Sequence, residues 1–217
     1  MDELPAGLNP SADPGDLAEL FAQLSPEQAA AIAAMMAGNN ADSNRWAVDL
    51  LAVAPHDRVL EVGAGPGMGV GLLAARATGG LVAGIDVSAA MVEQARARNA
   101  DLVRTGRAQL LVAPAERIPF PDGAFTKALA VHVAQFWPAP EPALREIRRV
   151  LAAGGTVVLA TRAYRASAGA TSAASFGWTP EQADAMASAM RAAGSRGVSM
   201  STAARPAEQL IAVVATR

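Results

Sequence analysis

A chain of 217 residues with 18 Lys+Arg against 20 Asp+Glu has the size of one sizeable domain and a net charge of −2, with Lys127 its only lysine, so the clustered basic face needed to grip nucleic acid is not expected. The absence of cysteine excludes disulfides, thiolate metal sites and thiol catalysis, and no metal-ligand set is read elsewhere. The acidic, proline-bearing start MDELPAGLNP lacks the build of a secretion signal, and no apolar run reaches the ~18 residues of a membrane span, which predicts a soluble, cytoplasmic protein with no membrane partner.

Residues 1–15, with Pro5, Gly7, Pro10, Pro14 and Gly15, have little to bury and are expected to be flexible. Asp16 is placed to cap a short helix carrying Leu17, Leu20, Phe21 and Leu24. Ser25-Pro26-Glu27-Gln28 is a capping-box start with proline at the first helical position, and that helix should end near Gly38. Ser43 reads as the cap of a third helix through Trp46, Val48, Leu50, Leu51 and Val53, stopped by Pro55. Residues 16–55 are thus a helical preamble, expected to form a lid over a main domain at 56–217.

From Arg58 the pattern changes to short β-branched runs alternating with amphipathic segments, which predicts a parallel sheet with helices on both faces. The predicted strands are Arg58–Glu61, Leu81–Ile85, Gln109–Val112, Lys127–His132 and Thr156–Thr161, with helices near Gly67–Ala77, Ala89–Asn99 and Glu141–Leu151, the last closed by Gly154-Gly155. Ala163–Gly177 is rich in small residues without periodicity, and Thr179 caps a helix to about Ala193. Gly197–Ser201 and Gln209–Ala215, separated by a turn at Pro206, read as an antiparallel pair.

The turn after the first strand holds the most informative stretch, VLEVGAGPGMG from Val59 to Gly69. In an open parallel sheet the ligand sits at this switch point. A dinucleotide fingerprint starting at Gly63 needs glycine at its sixth position, which is Met68, and the Gly-Lys-Ser/Thr ending of a Walker loop is missing. What remains is E-x-G-x-G-x-G followed by Asp86 at the end of the second strand. An ionised Asp86 can accept both hydroxyl protons of a ribose, while Glu61 places negative charge near a cation. A nucleoside with an ammonium and a sulfonium at its far end satisfies both.

Four stretches, VLEVGAGPG (Val59–Gly67), GIDVS (Gly84–Ser88), PAERIPFPDGAF (Pro114–Phe125) and ALREIRRVLAAGGTVVLA (Ala143–Ala160), cover about half of the chain. Their order and spacing resemble the class I S-adenosylmethionine-dependent methyltransferases. The resemblance implies an α/β, Rossmann-like seven-stranded, mostly parallel sheet with an antiparallel last strand and an N-terminal helical lid, with S-adenosyl-L-methionine as cofactor. Carried over by position, Gly63, Ala64, Gly65 and Gly67 would let the methionine part approach the backbone, and Glu61 would act on its ammonium. Asp86 would hold the ribose, Val87 and Met91 would pack on the adenine, and Ala115 with Glu116 would meet its polar edge. Val131 and His132 would floor the pocket near the sulfonium. Two departures stand out. Pro114 replaces an Asp or Asn that accepts a bond from the adenine amino group, and Thr126 replaces an aspartate, which is read as a structural change.

Several residues carry two readings. His132 is the one histidine near the pocket and a candidate catalytic base, or else a satisfied structural residue, whereas His56 is placed in a surface loop. Trp46, Phe136, Trp137, Phe176 and Trp178, with Met35 and Met36, line an apolar acceptor site or pack in the core. Arg145, Arg148 and Arg149 read as a solvated helix face, and Arg162, Tyr164 and Arg165 as a possible entry for an anionic or phenolic acceptor. The expected function is methyl transfer to a small, partly apolar molecule by a monomer or homodimer. The alternatives are a non-catalytic module that binds the donor or S-adenosylhomocysteine and, against the failed fingerprint, a nicotinamide-dependent reductase.

Overall fold

The computed structural model describes residues 14–164, 177–205 and 208–217. The flexible start expected for residues 1–13, most of the small-residue segment after Thr161 with Arg165 and Phe176, and the turn at Pro206 lie outside the described residues. Three helices, α1 (Pro14–Ala22), α2 (Pro26–Asn39) and α3 (Ala41–Leu51), precede the alternating part of the chain. That part runs β1 (Arg58–Val62), α4 (Met68–Arg76), β2 (Leu81–Asp86), α5 (Ala89–Arg98), a short α6 (Ala100–Arg104) and β3 (Ala108–Val112). It continues through β4 (Phe125–Val131), a single 3-10 turn (Ala134–Phe136), α7 (Pro140–Val150), β5 (Leu151–Arg162), α8 (Pro180–Ala192), β6 (Arg196–Ala204) and β7 (Gln209–Thr216). No helix among the described residues is long and apolar enough to cross a membrane.

The seven strands form one sheet in the order β3-β2-β1-β4-β5-β7-β6. Strands β1 to β5 are parallel to one another, and β7 runs against both β5 and β6. The chain therefore crosses over from β3 to β4 on the far side of β1, and a crevice opens where β1 and β4 lie side by side. Alternation along the strands feeds two cores. In β5, Val157 and Leu159 face α7 and α8, while Val158 and Ala160 face the layer that contains α3, α4 and α5. Glu61 lies between Leu60 and Val62, which both belong to the α7/α8 core, so the pleat turns its side chain toward α4.

Local signals explain most element boundaries. Both capping boxes form: Gln28 N–H donates to Ser25 Oγ and Ser25 N–H to Gln28 Oε1, and Thr179 and Gln182 repeat the exchange. Ser43 does not cap α3. Asn40 alone separates α2 from α3 and serves as the end of one and the start of the other, so Ser43 falls inside the first turn and donates back to the Asn40 carbonyl at 3.1 Å. α3 ends before Pro55, because Ala52 takes a left-handed φ of 50°.

The PAERIPFPDGAF stretch has no regular structure before Phe125 opens β4 and is strapped to α7 instead. Arg149 donates to Ile118 O (2.9 Å), Phe120 O (2.8 Å), the Asp122 carboxylate (2.8 Å) and Glu146, while Glu146 Oε2 accepts from Ile118 N–H at 2.8 Å. Arg149 is thus a clasp for a loop and not the solvated residue its cluster suggests, whereas Arg145 is exposed as expected. A methionine at 149 keeps the stem and loses the fork, which leaves two carbonyls and two carboxylates without their donor. R149M is expected to cost about 1–3 kcal/mol in urea unfolding and to raise amide exchange across 116–122, and an unchanged exchange pattern there would refute the clasp.

Candidate functional site

A cavity of ≈ 210 Å³ opens at the carboxyl ends of β1, β2 and β4 under the N-terminal helices. Its base is the turn from Gly63 to Gly69. Gly63, Gly65 and Gly67 all have positive φ (71°, 49° and 78°), which glycine adopts without strain. Gly63 and Ala64 N–H both donate to Ile85 O, at 2.8 and 2.9 Å, and so tie the turn to the end of β2. A Cβ at Gly63 would lie 2.2 Å from the Val133 side chain, which shows how closely the segment after β4 covers this backbone.

Two carboxylates face this cavity. Asp86 is fixed by Gly65 N–H to one oxygen (2.8 Å) and Ser88 N–H to the other (2.9 Å), which orients the carboxylate at the cavity edge. Burial raises its pKa, and the backbone donors oppose the rise. Glu61 is more deeply placed, at 3% exposure, and its Oε2 has no hydrogen-bond partner among the described residues. Desolvation first, and then the negative charge of Asp86, push its pKa from 4.5 up to about 8, against a bond from Val70 N–H.

That bond explains the fourth glycine. Gly67 is the N-cap of α4 and has no side chain to cap with, and Glu61 reaches from β1 to accept from the first turn in its place. A Cβ at Gly69 would lie 1.9 Å from Glu61 Oε1, so this position must be bare for the carboxylate to sit there. Gly67 itself does not line the cavity. A Cβ there would meet Ala95 and Asn99 of α5, which makes Gly67 a packing residue behind the predicted contact surface.

The other predicted contacts, Ala64, Val87, Met91, Ala115, Glu116, Val131 and His132, all line the cavity. Val87 and Glu116 are exposed at its mouth, Met91 is buried against Ile32 of α2, and Pro114 is exposed and outside the lining. Thr126 bonds Asp57 and Arg58 at the opposite end of the sheet, in keeping with its structural reading. Trp46 and Trp178 are core residues, one on each face of the sheet, whereas Met36, Phe136 and Trp137 do line the cavity.

His132 occupies the floor in a left-handed conformation (φ 57°), unusual for a residue with a side chain. Nε2 lies 2.7 Å from Ser43 Oγ and Nδ1 3.2 Å from Thr161 Oγ1. Desolvation, with the positive charge of Arg162 behind it, holds its pKa well below the usual 6.5, so the ring is neutral. It joins the end of β4 to α3 and β5. Arg162, read from sequence as facing an entering acceptor, is instead buried in an ion pair with Glu208 at 2.6 Å and donates to Asn39 O (2.6 Å) and Asn40 Oδ1 (3.0 Å).

Sequence reasoning missed Asn40, Asn44, Phe21, Val133 and Pro138 in the lining. Asn40 and Asn44 stand four residues apart on the inner face of α3 next to Trp46 and Ala47, and polar residues on a face that must be buried were the available signal. Phe21 reaches the site from α1, where its ring lies 5.6 Å from that of Phe136 at 49°.

Comparison with known proteins agrees with this geometry. Residues 60–159 match the family model described as a methyltransferase domain. The chain is 29% identical over 143 residues to the uncharacterized methyltransferase YdaC of Bacillus subtilis, covering 66% of this chain and 77% of that one. It is 32% identical over 142 residues to the ubiquinone/menaquinone biosynthesis C-methyltransferase UbiE of Geotalea daltonii, covering 65% and 60%. Among solved structures, a SAM-dependent methyltransferase from Aquifex aeolicus superposes with a TM-score of 0.71 at 18% identity, over 89% of this chain and 99% of that one.

The charge pattern has a consequence for stability. The folded protein holds a proton on Glu61 that the unfolded chain releases near pH 4.5, so stability is fully present below that pH and falls as pH rises toward about 8. E61Q removes this dependence. Urea unfolding at pH 5 and pH 8 should show wild type losing more stability between them than E61Q, and equal losses would mean that Glu61 is not buried as described.

Proposed function

Because this chain belongs to the class I S-adenosylmethionine-dependent methyltransferases, we propose that it moves a methyl group from that donor to a small, partly apolar acceptor in the cytoplasm, as a monomer or homodimer. The observation that carries the reading is the pair of inward-facing carboxylates, Glu61 with a vacant buried oxygen and Asp86 with both oxygens aligned, beneath a strip of bare backbone. A buried acid whose ionisation is opposed by burial and by the charge of Asp86 suits a cationic ligand, and Asp86 suits a diol. In this reading residues 56–217 bind the donor and residues 16–55 close over it.

Glu61 takes the α-ammonium, Gly63, Ala64 and Gly65 lie along the methionine part, and Gly67 acts indirectly by letting α5 approach. Asp86 accepts from the ribose hydroxyls. Val87 and Met91 flank the adenine, and the Ala115 amide with Glu116 meets its polar edge, the role that Pro114 cannot take. Val131 and His132 form the floor at the reacting end.

When bound, S-adenosylmethionine supplies a sulfonium methyl already activated for in-line displacement. The chain's own task is then alignment and the exclusion of water, worth about 7–11 kcal/mol in well-oriented systems. α1 and α2 serve both, with Phe21 set against Phe136 and Met36 above Gly65, where its sulfur lies 3.9 Å from an imagined Cβ. His132 is neutral, and because Ser43 Oγ donates to Asn40 O, Nε2 carries the ring proton, so in this reading Nδ1 takes an acceptor proton by exchanging its Thr161 contact for the acceptor.

The direct test is mass spectrometry of a metabolite extract incubated with the protein and labelled donor, where label in small molecules is expected and label confined to protein or RNA sinks the reading. For the site residues, titration of S-adenosylmethionine should show D86A weakened at least about tenfold, as charged hydrogen bonds imply. H132Q should keep donor affinity and lose turnover. Donor affinity unaltered in D86A would remove Asp86 from the site, and full turnover in H132Q would leave His132 structural.

A further inference from the structure

The strongest unclaimed feature is the set of bonds around Arg162 at the end of β5, which lies beside the cavity without lining it. Its guanidinium is shared among Glu208 Oε2 from the start of β7's approach (2.6 Å), Asn39 O (2.6 Å) and Asn40 Oδ1 (3.0 Å), and both ionic side chains are 11% exposed. The acceptors on Asn39 and Asn40 belong to the junction between α2 and α3. Asn40 O receives Ser43 Oγ at 3.1 Å and Asn44 Nδ2 at 2.9 Å, so one arginine fixes a junction from which two lining residues, Asn40 and Asn44, face the site.

The amide orientations follow from these bonds. Asn40 Oδ1 accepts from Arg162, which leaves its amide nitrogen as the donor, whereas Asn44 Nδ2 gives one N–H to Asn40 O and keeps its second N–H and its oxygen. The same cavity is lined by the apolar side chains of Phe21, Met36, Phe136 and Trp137. Among the described residues, the charged side chains in the lining are Glu61, Asp86 and Glu116, all acidic. An anionic acceptor would enter a pocket of carboxylates where the neighbouring cation is already neutralised, and a buried charge without a partner is costly.

We propose that Arg162 is an anchor of the α2–α3 junction and not an anion hook, and that the acceptor is accordingly an uncharged molecule, its apolar body against the aromatic wall and its one polar group at the Asn40–Asn44 edge. This rests on the methyl-donor reading above and names the acceptor class for the same cavity. The N–H groups and the oxygen left on the two amides suit a hydroxyl, which both donates and accepts, or a carbonyl, which accepts from an amide N–H alone.

The test uses the full chain saturated with S-adenosylhomocysteine and three probes of one shape, 1-naphthol, 1-naphthoate and 1-naphthyl phosphate, followed by calorimetry. Naphthol should bind at least about tenfold more tightly than either anion, a difference of ~1.4 kcal/mol. E208Q releases the guanidinium and should raise naphthoate affinity while S-adenosylhomocysteine affinity stays as in wild type. Either anion matching naphthol in wild type, or naphthol failing to bind the loaded protein, overturns the proposal, as does an unaltered naphthoate affinity in folded E208Q. Failure of S-adenosylhomocysteine itself to bind would instead overturn the donor reading.

Discussion

A single buried carboxylate organises the centre of this molecule. Glu61 leaves β1 on the face that α4 covers, accepts from Val70 N–H in the first turn of that helix, and keeps one oxygen unpaired. The helix needs the carboxylate because its own N-cap is Gly67, and the carboxylate needs Gly69 because a methyl group there would occupy its place. Gly67 is in turn bare because α5 packs against it. Strand, turn and two helices thus fit only as a set, and the set leaves a costly acid at the bottom of a cavity. Proteins keep such a cost where a ligand relieves it.

The remaining architecture holds other groups at fixed distances from this acid. Asp86 is aimed by two backbone donors, one from each of the turns that follow β1 and β2. The loop bearing Ala115 and Glu116 has no ladder of its own, and Arg149 with Glu146 ties it to α7. The junction of α2 and α3 is tied to the sheet by His132 to Ser43 and by Arg162 to Asn39 and Asn40. The ties start from the carboxyl ends of two neighbouring strands, β4 at the cavity and β5 beside it, so these helices are held to the sheet by the chain's own groups.

The sheet was legible because strand and helix periods differ and because each element carries its own stop signals, as in the two capping boxes at Ser25 and Thr179. Glu61, Gly63, Gly65 and Asp86, which the fold brings to one cavity, stood out through their spacing at the ends of the first two strands. Gly67 and Gly69 show the limit of that logic: their reasons lie in α5 and β1, partners distant in sequence. Arg149 and Arg162 were misjudged for the same cause. An arginine in a charged cluster or after a strand looks solvated until tertiary structure brings carbonyls and carboxylates around it, and Glu208 stands 46 residues beyond the arginine it neutralises. Ser43 was mistaken for a cap because no local rule says that one residue, Asn40, will serve two helices.

Asn40 also divides the chain by tolerance to change. The helices ahead of it reach the cavity through a few side chains, Phe21 and Met36 among them, and are fastened through the main-chain oxygen of Asn39, which any residue would provide. The chain beyond it is bound into the sheet by interlocking demands on single atoms. Substitutions ahead of Asn40 therefore change the side chains at one wall of the crevice and leave the interlocked turn at its base intact.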